Sequence, residues 1–154
     1  MPGEMGFDTG PFVNVAIFCE RAILDNEGVL TLVRLTDQIT IRSSGPQAPE
    51  ELPAGTVVQT TLVIVLKPGE ARGNQGLRID IEEPTGQVRP GPEMSVPFAG
   101  GPSQGANIVL PMVLQVESAG LYWANVYIAG RVVTRVPLQI TYQYLRAPGQ
   151  GVVQ

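Results

Sequence analysis

The sequence predicts an all-β protein: an antiparallel, immunoglobulin-like β-sandwich of eight or nine strands, with a small closed barrel as the alternative. Three observations carry this. No segment of ten or more residues shows a 3.6-residue apolar repeat. β-Branched and aromatic runs alternate with period two, separated by turn signals roughly every 8–12 residues. Eighteen Gly and fourteen Pro supply those turns. For a chain of 154 residues one domain is expected. Area scaling buries about two-thirds of its surface, enough for a core without disulfides or a structural metal. The boundaries read as a flexible leader over 1–11, one sandwich over 12–146 and a flexible tail over 147–154.

FVNVAIFCE (12–20) is apolar on both faces, as a strand inside a sheet should be. Asp25-Asn26-Glu27-Gly28 supplies turn chemistry between two apolar runs, with Gly28 taking the positive φ. DQITI (37–41) is a short strand, and the three prolines of 43–55 mark a surface loop. The long strand 56–67 puts Val58, Thr60, Leu62, Ile64 and Leu66 on one side. LRIDIEE (77–83) is one-sided: Leu77, Ile79 and Ile81 face in, while Arg78, Asp80 and Glu82 face out. Residues 84–92 read as a turn-rich connection and 99–105 as another loop. Between them Met94, Val96 and Phe98 share a face. In 107–117, Ile108, Leu110, Met112, Leu114 and Val116 point inward, and Pro111 marks an edge or a bulge.

GLYWANVYIAGRVVTRVPLQITY (120–142) nearly specifies a β-hairpin turning at Ala129-Gly130. Tyr122, Ala124, Val126 and Ile128 share one face of the first strand. Val132, Thr134, Val136, Leu138, Ile140 and Tyr142 share one face of the second. For both sets to face the core, paired positions must sum to an even number, as in Ile128 with Val132. A two-residue turn pairs Ile128 with Arg131 and sets the faces against each other. The loop must therefore hold three residues or the hairpin must carry a bulge. Pro137 again marks an edge or a bulge. Tyr122, following Ser118-Ala119-Gly120-Leu121, is the candidate for the tyrosine corner that opens an F strand in immunoglobulin-like folds.

The composition limits the chemistry. There is no His and only one Cys, so the common general base, the usual triads and thiolate metal clusters are missing. Cys19 reads as a small buried hydrophobe. Neither G-x-x-x-x-G-K-[ST] nor G-x-S-x-G occurs, and the glycine-rich pieces precede no helix that would make them phosphate cradles. The net charge is −4, and the Arg are scattered, so nucleic-acid binding is not expected. The start lacks a signal-peptide pattern and no apolar run is long enough for a membrane helix. A cytoplasmic protein is the expectation, with a secreted or virion component as alternatives. Asp80, Glu82 and Glu83 raise the prospect of an acid–base pair, but an exposed acidic i, i+2 pair is ordinary on a solvated strand face. Asp25, Glu27 and Asp37 lack the spacing of a calcium loop and read as turn chemistry. No catalytic, cofactor or metal site is expected, and the chain is read as no enzyme.

One outward face is less bland. Trp123, Asn125 and Tyr127 line it, and the even register lays Arg135 across from Asn125, a mix enriched at binding hot spots. These four residues form the candidate interaction surface, for a protein partner or self-association. A carbohydrate or small-ligand platform is the alternative, and a hydrolase using acidic residues is a third reading.

VAIFCERAILDNEGVLTLVRLTDQI together with GLYWANVYIAGRVVTRVPLQI resembles a family of small bacterial β-sandwich proteins of unknown function. The residues carrying the likeness are Phe18, Cys19 and Glu20 early, then Gly120, Tyr122, Val126, Gly130, Val133, Pro137 and Leu138 late. Val133, which the alternation sets outward, is among them. The resemblance implies the sandwich fold and a bacterial source, and it implies no activity.

Overall fold

A computed structural model describes residues 9–98, 100–101 and 104–146. Residues 1–8 of the expected leader, three residues of the 99–105 loop and the expected tail 147–154 lie outside the described residues. Nine strands are present among those described: β1 (Phe12–Leu24), β2 (Leu30–Thr36), β3 (Gln38–Ser44), β4 (Val57–Lys67), β5 (Gly73–Glu82), β6 (Val88–Phe98), β7 (Ala106–Gln115), β8 (Gly120–Ile128) and β9 (Arg131–Leu145). They form a four-stranded sheet, β2-β1-β4-β7, packed on a five-stranded sheet, β3-β9-β8-β5-β6. β4 beside β7, and β5 beside β8 beside β9, reproduce the B–E and C–F–G neighbours of an immunoglobulin-like sandwich. All pairs are antiparallel except β3 with β9.

The core lies between the sheets, filled by Phe18, Leu62 and Ile64 from one and by Ile79, Phe98, Leu138 and Ile140 from the other. The inward sets expected on β4, β5, β6 and β7 all contribute to it. Tyr122 is a tyrosine corner: its ring is buried and its hydroxyl donates to the Ser118 carbonyl at 2.7 Å. The Asp25–Gly28 turn also forms as its residues dictate. Asp25 Oδ1 accepts from the Glu27 and Val29 amides, and Gly28 has φ +81°.

The closing hairpin combines a tight turn with a bulge. Ala129 and Gly130 both have positive φ, a two-residue turn that pairs Ile128 with Arg131 and Tyr127 with Val132. The expected Ile128–Val132 pair is therefore not made. An extra residue at Val133 then restores even sums from Val126–Thr134 to Gly120–Ile140. The consequence is a correction: Val132 is 54% exposed, and Val133 packs against the core. A bulge keeps two successive side chains on one side, which explains why the pattern wants Val here.

Element boundaries also move. β6 begins at Val88, so the supposed connection 84–92 is half strand, and β5 starts at Gly73. Two residues of β6, Gly91 and Pro92, bulge opposite Ile79; a Cβ on Gly91 would sit 2.4 Å from the Ile79 carbonyl oxygen. Prolines stand where an N–H is not needed: Pro90, Pro92 and Pro97 on edge strand β6, and Pro111 on edge strand β7. Pro137 lies in an interior strand, but just before β3 joins it at Gln38–Gln139. The 43–55 segment is more than a surface loop. Ala48 is buried, Leu52 packs on the core, and Pro49 accepts a 2.7 Å bond from the Tyr142 hydroxyl. β9 runs beyond its last pair with β8, Gly120–Ile140, and Tyr142 on that extension, paired with Ile41 of β3, is where the loop is tied down.

Alternation sends Cys19 and Val63 to the outer face of the four-stranded sheet, yet both are fully buried and neither belongs to the inter-sheet core. Beyond Cys19, β1 leaves β4 and continues with β2 alone. The tip of that hairpin returns to the sheet, where Asn107 on β7 donates to the Gly28 carbonyl at 3.5 Å. Arg34, with φ 58°, marks the bend.

Candidate functional site

The outward face of β8 stands between β9 and β5, and each neighbour adds side chains to it. β9 sets Arg135 opposite Asn125 and Pro137 opposite Trp123. β5 sets Glu82 opposite Trp123, Asp80 opposite Asn125 and Arg78 opposite Tyr127. Period-two alternation places all of them on the solvent side of the five-stranded sheet.

Two arginine–aromatic–carboxylate groups result. The Arg135 guanidinium lies 4.3 Å from the Trp123 ring centre and reaches Glu82 Oε1 at 3.1 Å. The Arg78 guanidinium lies 4.0 Å from the Tyr127 ring centre and grips Asp80 with two bonds, at 3.2 and 3.3 Å. Asn125 ties the first group together. Its Oδ1 accepts from Arg135 Nε at 2.8 Å, and its Nδ2 donates to Glu82 Oε1 at 3.3 Å. The hydrogen bonds to Asp80 hold the Arg78 guanidinium above its ordinary pKa.

The four residues singled out from the sequence are thus brought together, in the register expected for Asn125 and Arg135. The face is more closely knit than its composition alone implies. Asn125 is 6% exposed, because its neighbours lie over it. Asp80 is likewise buried, which corrects its reading as part of a solvated acidic face. Arg78, Asp80 and Glu82 were not connected to Trp123 from the sequence, since more than forty residues separate Glu82 from Asn125. The available signal was the outward triplet Arg78-Asp80-Glu82, combined with the rule that a C strand lies beside an F strand. Beside Tyr127, an open cavity of about 390 Å³ is bounded by Arg78, Glu93, Met94 and Gly130.

Both carboxylates of the old acidic pair are held by arginines. Among the described residues no cluster of three His, Cys, Asp or Glu side chains could hold a metal, and no helix is long and apolar enough to cross a membrane. Cys19 lies far from this face, its thiol pushed up in pKa by burial.

Solved structures similar to the chain include three at low identity. The alkylpurine DNA glycosylase AlkC of Pseudomonas fluorescens, bound to DNA with an abasic site analogue, is 12% identical with a TM-score of 0.41. That match covers 68% of this chain and 27% of the glycosylase, so the chain spans about a quarter of that protein. The CARDB domain of the PF1109 protein of Pyrococcus furiosus, in complex with di-metal ions, is 10% identical with a TM-score of 0.40, over 90% of this chain and 99% of that one. An immunoglobulin-like protein, PA1606, of Pseudomonas aeruginosa is 12% identical with a TM-score of 0.37, over 88% and 99%. No curated protein matches the chain. A family model does match, over residues 14–141, and the chain belongs to that family, described as a family of unknown function (DUF6941).

Proposed function

We propose that the protein is a non-catalytic interaction module that recognises a protein partner through the outward face of β5, β8 and β9. The observation supporting this is Arg135, which is stacked on Trp123 while bonded to Glu82 and Asn125. Trp, Tyr and Arg are enriched at binding hot spots, where Trp and Tyr offer large contact area with few rotors to freeze and Arg adds a planar fork of donors. Here those rotors are already held, which lowers the entropic cost of docking. The sugar-platform reading is less well supported, since stacking a pyranose needs an open ring face and a guanidinium occupies one face of Trp123. The hydrolase reading is weakened by the arginine partners of Asp80 and Glu82.

The test is affinity isolation from cells of the source organism, using the full chain and a Trp123→Ala, Arg135→Glu variant shown to be folded. A partner retained by the parent and lost by the variant is expected. Equal recovery from both, or turnover of a substrate abolished by Asp80→Asn, would count against the proposal.

A further inference from the structure

One glycine on the face of β5 and β8 has no local reason to be glycine. Gly76 lies inside β5, which runs between β6 and β8 in the five-stranded sheet. Among the described residues it is the one strand glycine with neither a positive φ nor an atom within 4 Å of where a Cβ would stand. Gly73 and Gly120 have positive φ, and at Gly91 a Cβ would meet the Ile79 carbonyl. A glycine inside a strand weakens the sheet, because it packs nothing and loses the most backbone freedom on folding. Such a position is where a ligand or another chain comes close. Alternation puts Gly76 on the outward side with Arg78, and its missing side chain opens the floor of the cavity of about 390 Å³ beside Tyr127. The Gly76 carbonyl accepts from the Ala129 amide at 2.9 Å, which ties that floor to the β8–β9 turn.

The charges around the cavity say what enters it. Arg78 stands opposite Glu93 of β6, yet its two bonds to a carboxylate go to Asp80, and its guanidinium lies over Tyr127. Glu93 lines the cavity and has neither an ion pair nor a side-chain hydrogen bond among the described residues. Arg78 and Asp80 cancel, which leaves one uncompensated negative charge at the rim. A cation placed there is attracted by it, and an anion is repelled. The chain as a whole stands at −4, which favours the approach of a basic partner. Met94 and Tyr127 add apolar wall, along which the methylene stem of Lys or Arg lies while its charge reaches Glu93.

We propose that this cavity receives a basic side chain, lysine or arginine, of the protein partner, with Glu93 as its counter-charge and Gly76 leaving room for its stem. This rests on the reading of the face as a recognition surface and names what the partner presents to it.

Nuclear magnetic resonance titration of the isotope-labelled full chain tests it, with acetylated and amidated Ala-X-Ala peptides in which X is Arg, Lys, Gln or Glu. The Arg and Lys peptides should shift the amides of Gly76, Ser95 and Gly130 with a dissociation constant of roughly millimolar size, and the Gln and Glu peptides should not. Glu93→Gln should weaken binding roughly tenfold or more. Gly76→Thr, whose Cβ meets nothing, should melt no lower than the parent and bind no peptide. Glu51→Gln removes an equal charge from the loop that Tyr142 ties down, and should bind as the parent does. Binding of the Glu peptide instead, equal affinity in Glu93→Gln, or undiminished binding in Gly76→Thr overturns the proposal, as does the absence of shifts with every peptide. If the basic peptides bind and no partner is isolated, the partner reading above fails alone. A partner retained equally by the parent, Glu93→Gln and Gly76→Thr leaves that reading standing and removes this one.

Discussion

The Arg135 guanidinium lies 4.3 Å from the centre of the Trp123 ring, and the same side chain bonds to Asn125 and Glu82. Truncation at Arg135 therefore costs more than an exposed ion pair. It leaves Asn125 Oδ1 buried without that donor and removes the cation from the ring. Arg135→Ala is expected to destabilise the fold by about 1–2 kcal/mol. Arg135→Lys should recover little of this, because an ammonium cannot stack and fork as a guanidinium does. Trp123 is the chain's only Trp, so its emission should shift in both variants as they are followed through urea denaturation. An unchanged midpoint and spectrum would show the stack to be inconsequential.

Tyr122→Phe removes one hydroxyl and the 2.7 Å bond to the Ser118 carbonyl, without changing the shape of the ring. A loss of about 1–1.5 kcal/mol is expected from urea midpoints, with the slope of the transition unchanged. No loss at all would mean that the corner is closed by packing alone.

Ala129 sits at φ 52° in the turn between β8 and β9, where a left-handed alanine is strained. Asparagine tolerates this conformation and Asn-Gly is the preferred pair for such turns, so Ala129→Asn should stabilise by roughly 0.5 kcal/mol. A melting temperature below that of the parent would contradict the turn geometry.

Burial raises the pKa of Cys19, with the bond to the Arg21 carbonyl opposing it less strongly. The folded state thus favours the neutral thiol. Its contribution to stability is complete below the ordinary thiol range and declines as pH rises through the higher folded value. Urea midpoints of the parent should fall more steeply in alkaline buffer than those of Cys19→Ala. A disulfide reagent at pH 8 should react only as the protein opens. Identical alkaline slopes, or immediate labelling of the native protein, would exclude this account.

Local chemistry was legible residue by residue. The alternation in 56–67, 77–83 and 107–117 identified the inward sets, Asp25 and Gly28 identified their turn, and parity demanded an irregularity in the last hairpin. Parity alone did not choose between a longer loop and a bulge. That choice fell to the bulge because Ala129-Gly130 makes a two-residue turn whose twist matches the flanking strands, leaving Val133 to absorb the extra residue. Likewise 84–92 looked like a connection because of its prolines, although an edge strand tolerates proline wherever the N–H points to solvent.

The sequence by itself determined which way side chains point along regular strands, because a period of two is a property of the backbone and needs no partner, whereas at Val132 and Val133 the bulge reversed it. The tertiary structure alone decided which strands stand side by side. It placed Glu82 and Arg78 on β5 beside Trp123 and Tyr127 on β8, turning an ordinary acidic face into the counter-charge of the aromatic platform. It also returned the β1–β2 hairpin to β7 and left Val57 and Val113 open on the same side. Such pairings bring together residues far apart in the chain. They are selected by burial summed over the whole sandwich, which no local pattern records.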